Sequence, residues 1–464
     1  LNDPVDTTRP TLSSFSSTSA NGSYKEGTTV NITATLSEAV TSTARITVTL
    51  DTGETVLLSH SATDNTLTGT YTVGAGKSSS DLTVSSYVLT VAPTDASGNV
   101  MNTTTVPSGS SNIAGSKAIV IDTTAPTVAL TRSGSGTVLS GQTVTLTFTF
   151  SEAVTGFELA DIERCPSSAN NGTIGSLSGS GTTYTAVFTP TADTSSGNAS
   201  PCVIPSAVVD AAGNTNANYS SALNLTIDTR LPTVTAFSTT TANGTYVAGT
   251  TINITANMSE TIEDGASITV TLNTGDTVLL TKSTGTTLTG TYTVGVGDSS
   301  SDLTVSSFVI TSAPTDAAGN AMTSGSVPTG ANNIAGAQAI VIDTGGPTVV
   351  SASMNSSGTQ MTVTMSEVLH ATTAVASDFA VTVNGVSATV SSVTVSGTGI
   401  VLVLNPVAQA GESVSVSYTA PTSSTATSNS AIQDAVGNDA SSFTSSATVP
   451  AAGWHRHETD ARSE

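Results

Sequence analysis

Short segments in which apolar residues alternate with Thr or Ser recur along the whole chain. Examples are Val30–Leu36, Ile46–Leu50 and Val144–Phe150. This two-residue period is typical of antiparallel strands that have one face in a core and the other in water. Thr supports it, because a β-branched side chain favours extended backbone. No stretch shows a sustained helical period, so the pattern predicts an all-β protein.

A linker of the form Asp-x-x-x-Pro divides the chain into blocks of about 105 to 120 residues, close to the commonest domain size. Its proline makes each connection short and stiff. About seven strands per block predict four tandem immunoglobulin-like β-sandwich domains in an elongated array. The linkers are Asp6–Pro10, Asp122–Pro126, Asp228–Pro232 and Asp343–Pro347. The predicted domains are 1–122, 123–228, 229–343 and 344–449, followed by a charged tail at 450–464.

Blocks one and three are nearly the same sequence. Gly69–Gly74 returns as Gly290–Gly295, and the matched positions lie 222 residues apart early in the block and 221 later. Blocks two and four differ from these and from each other. The array therefore reads A-B-A-C, as in proteins whose modules contact mainly their neighbours.

The charge balance is strongly acidic. The 464 residues include 33 Asp and Glu but only 11 Lys and Arg, a net charge of −22. Such a chain is unsuited to a nucleic acid backbone or an anionic membrane surface. No stretch of about 18 apolar residues predicts a membrane span. The balance suits an extracellular location and the binding of cations, although most of the acids need only keep a large β protein in solution.

The two cysteines, Cys165 and Cys202, lie in the same block. Two thiols in one small β domain predict a disulfide rather than a metal site. The alternative is a pair of unpaired, partly buried thiols. If the bond forms, the protein works in an oxidising compartment.

Three acidic features recur once per block: the linker Asp, a Ser-Glu pair ending an early strand, and an Asp-x-x-Gly-Asn segment near the end. In a sandwich, the loops carrying the second and third features open at the pole where the linker enters. Several loops that offer oxygen atoms suit calcium, which takes about six to eight oxygen ligands. The predicted calcium ligands are Asp6, Glu38, Asp95, Asp122, Glu152, Asp210, Asp228, Glu260, Asp316, Asp343, Glu367 and Asp434.

Turn chemistry without any metal is the alternative for these acids. In Asp-x-x-Gly-Asn, Gly can supply the positive φ and Asp can cap the local backbone. A Glu that follows Ser can likewise accept backbone hydrogen bonds. The recurrence in all four blocks favours calcium, but no EF-hand loop is present.

These motifs also carry a family resemblance. The linker, Ser-Glu-Ala-Val at 151–154 and Asp-Ala-Ala-Gly-Asn at 210–214 resemble bacterial immunoglobulin-like repeats of large surface proteins and adhesins. Block four, through Val414–Pro421 and Ala431–Asp439, resembles the repeat of a cyanobacterial swimming-motility surface protein. The resemblance covers residues 1 to about 449. It implies an extracellular, non-enzymatic role, often with calcium making the array rigid.

The sequence contains no complete enzyme signature. Gly74–Ser78 is similar to a phosphate loop, but Tyr71 stands where its first glycine is required and Asp298 replaces Lys77 in the repeat. The sequence predicts a structural or adhesive cell-surface protein, a calcium-stiffened rod that associates with other copies or with cell-surface components. A surface layer, a fibre and an adhesin stalk are all compatible with it. A glycan- or receptor-binding module is the alternative, weakened by an aromatic content of 4%.

Overall fold

The computed structural model describes residues 5–41, 43–60, 64–166, 168–371, 374–421 and 431–451. Within these ranges the chain is almost entirely strand and loop, and its two α-helices, α1 (Ile113–Ser116) and α2 (Ile334–Ala337), have one turn each. The all-β prediction is confirmed. The 3-10 turns of these ranges are Gly109–Ser111, Leu159–Asp161, Gly330–Asn332 and Ala376–Asp378. Of the predicted tail, residues 452–464 lie outside the described part.

Separate hydrophobic cores form in each block between linkers, at 15–121, 138–227, 234–342 and 354–449. We call the four blocks modules 1 to 4 in chain order. The chain divides into two compact units, Leu1–Arg230 and Leu231–Glu464, so that each unit holds two modules. The tandem β-sandwich arrangement is thus present in the described residues.

Module 1 is a sandwich of a six-stranded sheet, ordered β1-β3-β6-β5-β4-β8, and a three-stranded sheet, ordered β2-β9-β7. Its strands are β1 (Leu12–Ser16), β2 (Gly22–Tyr24), β3 (Thr29–Leu36), β4 (Arg45–Leu50), β5 (Thr55–Ser59), β6 (Thr66–Thr72), β7 (Ser78–Ser79), β8 (Val84–Val91) and β9 (Ile119–Asp122). In β3 every second side chain, from Val30 to Leu36, is buried, as the alternation predicts. Strands β2 and β9 run parallel and place Tyr24 opposite Ile121.

Module 2 has smaller sheets, ordered β10-β11-β13, β12-β15 and β14-β16, around its own core. Its strands are β10 (Val128–Arg132), β11 (Val144–Val154), β12 (Ile162–Arg164), β13 (Gly172–Pro190), β14 (Gly197–Ala199), β15 (Pro201–Val203) and β16 (Leu225–Ile227). The long β13 contains a hairpin, because Ser178 Oγ lies 3.0 Å from Thr185 Oγ1 and Gly181 between them has a φ of 66°.

Module 3 repeats the architecture of module 1, with sheets ordered β17-β19-β22-β21-β20-β24 and β18-β25-β23. Its strands are β17 (Val234–Ser238), β18 (Gly244–Tyr246), β19 (Thr251–Met258), β20 (Ser267–Leu272), β21 (Thr277–Thr284), β22 (Thr287–Thr293), β23 (Ser299–Ser300), β24 (Val305–Ser312) and β25 (Ile340–Asp343). The parallel register is also kept, since Tyr246 stands opposite Ile342. The internal repeat therefore extends to the pairing of individual residues.

Module 4 is one seven-stranded sheet ordered β26-β27-β30-β29-β28-β31-β32. Its strands are β26 (Val349–Met354), β27 (Gln360–Met365), β28 (Phe379–Val383), β29 (Val386–Ser396), β30 (Gly399–Asn405), β31 (Ser413–Tyr418) and β32 (Phe443–Thr448). Met361 of β27 and Val414 of β31 belong to one buried cluster. The sheet therefore curves around a single core.

Candidate metal centres

Each linker Asp is held in a local turn at the entry to the module that follows it. Asp122 and Asp343 are the last residues of β9 and β25. One carboxylate oxygen of each linker Asp accepts the backbone N–H two residues later, at 2.9 Å for Asp6, 2.9 Å for Asp122, 3.3 Å for Asp228 and 3.2 Å for Asp343. This turn places the carboxylate at the joint and leaves its second oxygen outside the turn.

The serine of each Ser-Glu pair fixes the strand that follows the linker proline. Ser151 Oγ accepts the backbone N–H of Thr127 at 3.0 Å, and the Ser151 N–H donates to the Thr127 carbonyl at 2.9 Å. Ser37, Ser259 and Ser366 accept the matching N–H at 3.0 Å each. The serine thereby brings the following Glu to the pole where the linker enters.

The Asp-x-x-Gly-Asn segment forms a closed loop around its buried Asp. Asp210 Oδ1 accepts the N–H groups of Ala212 at 2.8 Å and Asn214 at 2.9 Å, while Oδ2 accepts from Asn214 Nδ2 at 2.8 Å. Gly213 has a φ of 87°, in the left-handed region that glycine tolerates without strain. Asp95, Asp316 and Asp434 accept the equivalent bonds. The turn chemistry considered as an alternative is therefore present in all four modules.

The Asn of this loop also ties the loop to the linker. Asn214 Nδ2 donates to the Asp122 carbonyl at 2.9 Å, and Asn438 Nδ2 donates to the Asp343 carbonyl at 3.1 Å. Asn99 makes the same bond to the linker carbonyl before module 1, at 3.1 Å. These Asn side chains and the Ser hydroxyls were not among the site residues predicted from the sequence. Their recurrence in every block was the available signal.

The three predicted features converge in three places. In each, one carboxylate oxygen from the linker, one from the Ser-Glu pair and one from the Asp loop lie within 4.8 Å of one another. We call these groups the acid triads. They are Asp6–Glu38–Asp95, Asp122–Glu152–Asp210 and Asp343–Glu367–Asp434. The second and third join the end of one module to two loops of the next.

The remaining predicted set is divided between the two compact units. Asp228 lies in the first unit, whereas Glu260 and Asp316 lie in the second. Within its own unit, Asp316 closes its loop as its counterparts do. The grouping of Asp228 with the other two stays a prediction.

Loss of solvent and mutual repulsion make the charged form of each triad Glu unfavourable. The pKa values of Glu38, Glu152 and Glu367 are raised, first by loss of solvent and then by repulsion from the two Asp of the same triad. The pKa of Asp95 is instead lowered, chiefly by the Asn99 side chain. The ion pairs found among the described residues, at His60, Arg230 and Lys282, involve no triad member. In the described residues the negative charge of the triads is therefore not neutralised by a salt bridge.

This donor set fits calcium. Calcium takes hard oxygen ligands, and each triad offers carboxylates from three chain segments within 4.8 Å. The linker Asp, the Glu and the loop Asp would hold the ion, and a bound ion would supply the positive charge that the triad lacks. The two Asp of each triad also accept hydrogen bonds in local turns, so an ion bound there would share these carboxylates with the turns.

Replacing Asn214 by Ala should destabilise module 2 by about 1–3 kcal/mol, because the buried Asp210 carboxylate and the Asp122 carbonyl each lose a donor. Hydrogen exchange, read by mass spectrometry on peptides of module 2, should show faster exchange. Asn102→Ala at an exposed site of module 1 is the control. Unchanged exchange in the Asn214 variant would contradict the bridging role.

The raised pKa of Glu152 predicts a pH-dependent effect on metal-free stability. The pKa of Glu152 in the folded state lies above the ordinary 4.5, so this side chain stabilises the folded state below pH 4.5. That stabilisation is lost as the pH rises through the folded-state pKa. In EDTA, Glu152→Gln should therefore raise the melting temperature of module 2 at pH 7 but not at pH 4. Glu163→Gln, at an exposed position outside the triad, should change neither value.

The cysteines form a disulfide on the side of module 2 that carries β12 and β15. Cys202 lies on β15 opposite Glu163, Cys165 directly follows β12, and their Cα atoms are 5.1 Å apart. Both cysteines are buried. The bond closes a 37-residue separation, and neither cysteine belongs to an acid triad.

Comparisons with known families match two parts of the chain. Residues 122–227 match the model of a bacterial Ig-like domain, and residues 342–423 match the model of a repeat described as associated with flagellar systems. Both matches begin within one residue of a linker Asp. The two resemblances drawn from the motifs of blocks two and four are confirmed.

Curated proteins give no match to this chain. In the described residues, no helix has the length and apolar character needed to cross a membrane.

Proposed function

We propose that this chain is a non-enzymatic structural or adhesive protein of the cell surface, in which calcium at the module junctions stiffens a tandem array. The observation that carries the proposal is the Asp122 triad. A carboxylate at the end of module 1 lies within 4.8 Å of carboxylates from two loops of module 2. An ion held there would bind both modules at once and restrict the joint between them.

The kinds of domain found support this function. Bacterial Ig-like domains and the flagellar system-associated repeat are typical of non-enzymatic repeat proteins at the cell surface. The acidic balance of 33 acidic against 11 basic residues suits a calcium-rich extracellular medium. An extracellular location is the natural setting for both the disulfide and the triads.

Small-angle scattering of the whole chain, in calcium and then in EDTA, tests stiffening. Calcium should narrow the range of angles that neighbouring modules adopt. Glu152→Gln together with Glu367→Gln should remove most of the difference between the curves in calcium and in EDTA. A scattering curve that is the same in calcium and EDTA would overturn the calcium part of the proposal. The structural role would then rest on the sandwich modules alone.

Association with other copies or with cell-surface components is the second part of the proposal. The end strands β8 and β24 present exposed Val88 and Val309 at matched positions of modules 1 and 3, with exposures of 61% and 63%. End strands can add a further strand or pack side by side. Light scattering across calcium concentrations should show particles larger than a monomer. A monomer at every concentration would exclude self-assembly.

Glycan binding remains the alternative function, with one observation in its favour. A groove of about 290 Å³ in module 2 is lined by Tyr219, whose side chain is 43% exposed and is the only largely exposed aromatic among the described residues. A single ring is a small platform for a sugar. Binding on a glycan array that disappears in Tyr219→Ala would support this alternative.

A further inference from the structure

One lysine makes a direct contact between module 1 and the Asp loop of module 2. Lys25 follows β2, and its Nζ donates to the Gly213 carbonyl at 2.9 Å. A Cβ placed on Gly213 would lie 3.6 Å from Nζ and 3.8 Å from Cδ and Cε of Lys25. The lysine stem therefore lies over the glycine, and the ammonium group lies beside the loop that closes around Asp210.

The matched joint between modules 3 and 4 lacks this contact. Val247 follows Tyr246 just as Lys25 follows Tyr24, and the two tyrosines have the same parallel register. Around Gly437, the counterpart of Gly213, no atom lies within 4 Å of an added Cβ. The two joints therefore have the same acid triad but differ in one fixed cation.

We propose that Lys25 is a latch between modules 1 and 2 that holds this joint without calcium and lowers its response to calcium. The ammonium–carbonyl contact is a third connection between the modules, besides the linker and the Asn214 bridge. The calcium part of this inference rests on the proposed function. The latch itself does not, because the contact requires no metal.

Electrostatics gives the direction of the effect on calcium. The Lys25 charge lies beside the loop that carries Asp210, so it repels a divalent ion arriving at the Asp122 triad. Coulomb's law in a water-like medium gives a several-fold weakening of binding when a unit positive charge lies near a divalent ion. The joint between modules 3 and 4 has Val247 in place of this lysine, so it should fill at a lower calcium concentration.

Pairs of spin labels in the whole chain test the latch. Exposed Ser86 and Thr145 report on the first joint, and exposed Ser307 and Ser396 on the second. The native cysteines are paired, so introduced thiols alone are labelled. In EDTA, the first joint should give a narrower distance distribution than the second, and Lys25→Val should broaden it. The reciprocal Val247→Lys should narrow the second joint.

A calcium titration of the same labelled proteins tests the second effect. Lys25→Val should lower the calcium midpoint of the first joint several-fold. Glu26→Ala, which removes the adjacent opposite charge, should not lower it. Equal distributions and equal midpoints in the wild type and Lys25→Val would overturn the latch. If Lys25→Val broadens the distance distribution in EDTA but neither protein responds to calcium, the latch is supported and the calcium part of the proposed function is overturned.

Discussion

Calcium at about a hundredfold excess over its dissociation constant should stabilise each module whose triad it fills by about 2.7 kcal/mol. For modules of this size the melting temperature should rise by roughly 10 °C. The physical reason is that the folded module gathers three carboxylates within 4.8 Å, whereas the unfolded chain does not. Scanning calorimetry of the whole chain in calcium and in EDTA measures the shift.

A matched variant assigns this shift to the triads. Glu152→Gln keeps the size of the side chain but removes a charged ligand, so module 2 should lose most of its calcium-dependent stabilisation while module 4 keeps its own. The same variant is expected to be more stable than the wild type in EDTA at pH 7, because the raised pKa of Glu152 reflects an unfavourable charge. Turn chemistry alone does not explain a substitution that destabilises module 2 in calcium but stabilises it in EDTA. The absence of this reversal would count against a calcium ligand at Glu152.

Removing the disulfide should destabilise module 2 by about 4 kcal/mol on the chain-entropy model, since the bond closes a 37-residue separation. The measurement is calorimetry of a Cys165→Ala, Cys202→Ala double variant, or of the wild type in a reducing agent. The other modules contain no cysteine, so they are an internal control in the same scan. Equal melting of module 2 with and without reductant would contradict a stabilising bond.

The fold followed from the sequence because its signals are local. In β3 and its repeat β19, each alternating apolar residue is buried and each intervening Thr or Asn is only partly so. The linkers, each with an Asp and a proline, each precede one of the four hydrophobic cores. The pole at which Glu152 and Asp210 meet Asp122 was predicted from the direction in which strands run in a sandwich, and the structure brings these three together.

The supporting contacts were harder to foresee because they depend on register between distant segments. The Asn214 bridge reaches back 92 residues to Asp122, and Lys25 reaches 188 residues to Gly213. The residues that flank Asn214 and Lys25 in the sequence give no sign of these distant acceptors. The hairpin within β13 was also missed, because its turn at Gly181 lies in a Gly- and Ser-rich stretch without an apolar alternation that marks two strands.

Calorimetric titration of the calcium-free whole chain with calcium is the most direct test of the central claim. We expect calcium to bind at the three described triads. The combined Glu38→Gln, Glu152→Gln and Glu367→Gln variant should lose most of the heat of binding. Exposed Glu163→Gln should titrate like the wild type. A wild type that takes up no calcium, or a triple variant that takes up the same amount, would contradict calcium at the junctions and leave the recurring acids as turn residues.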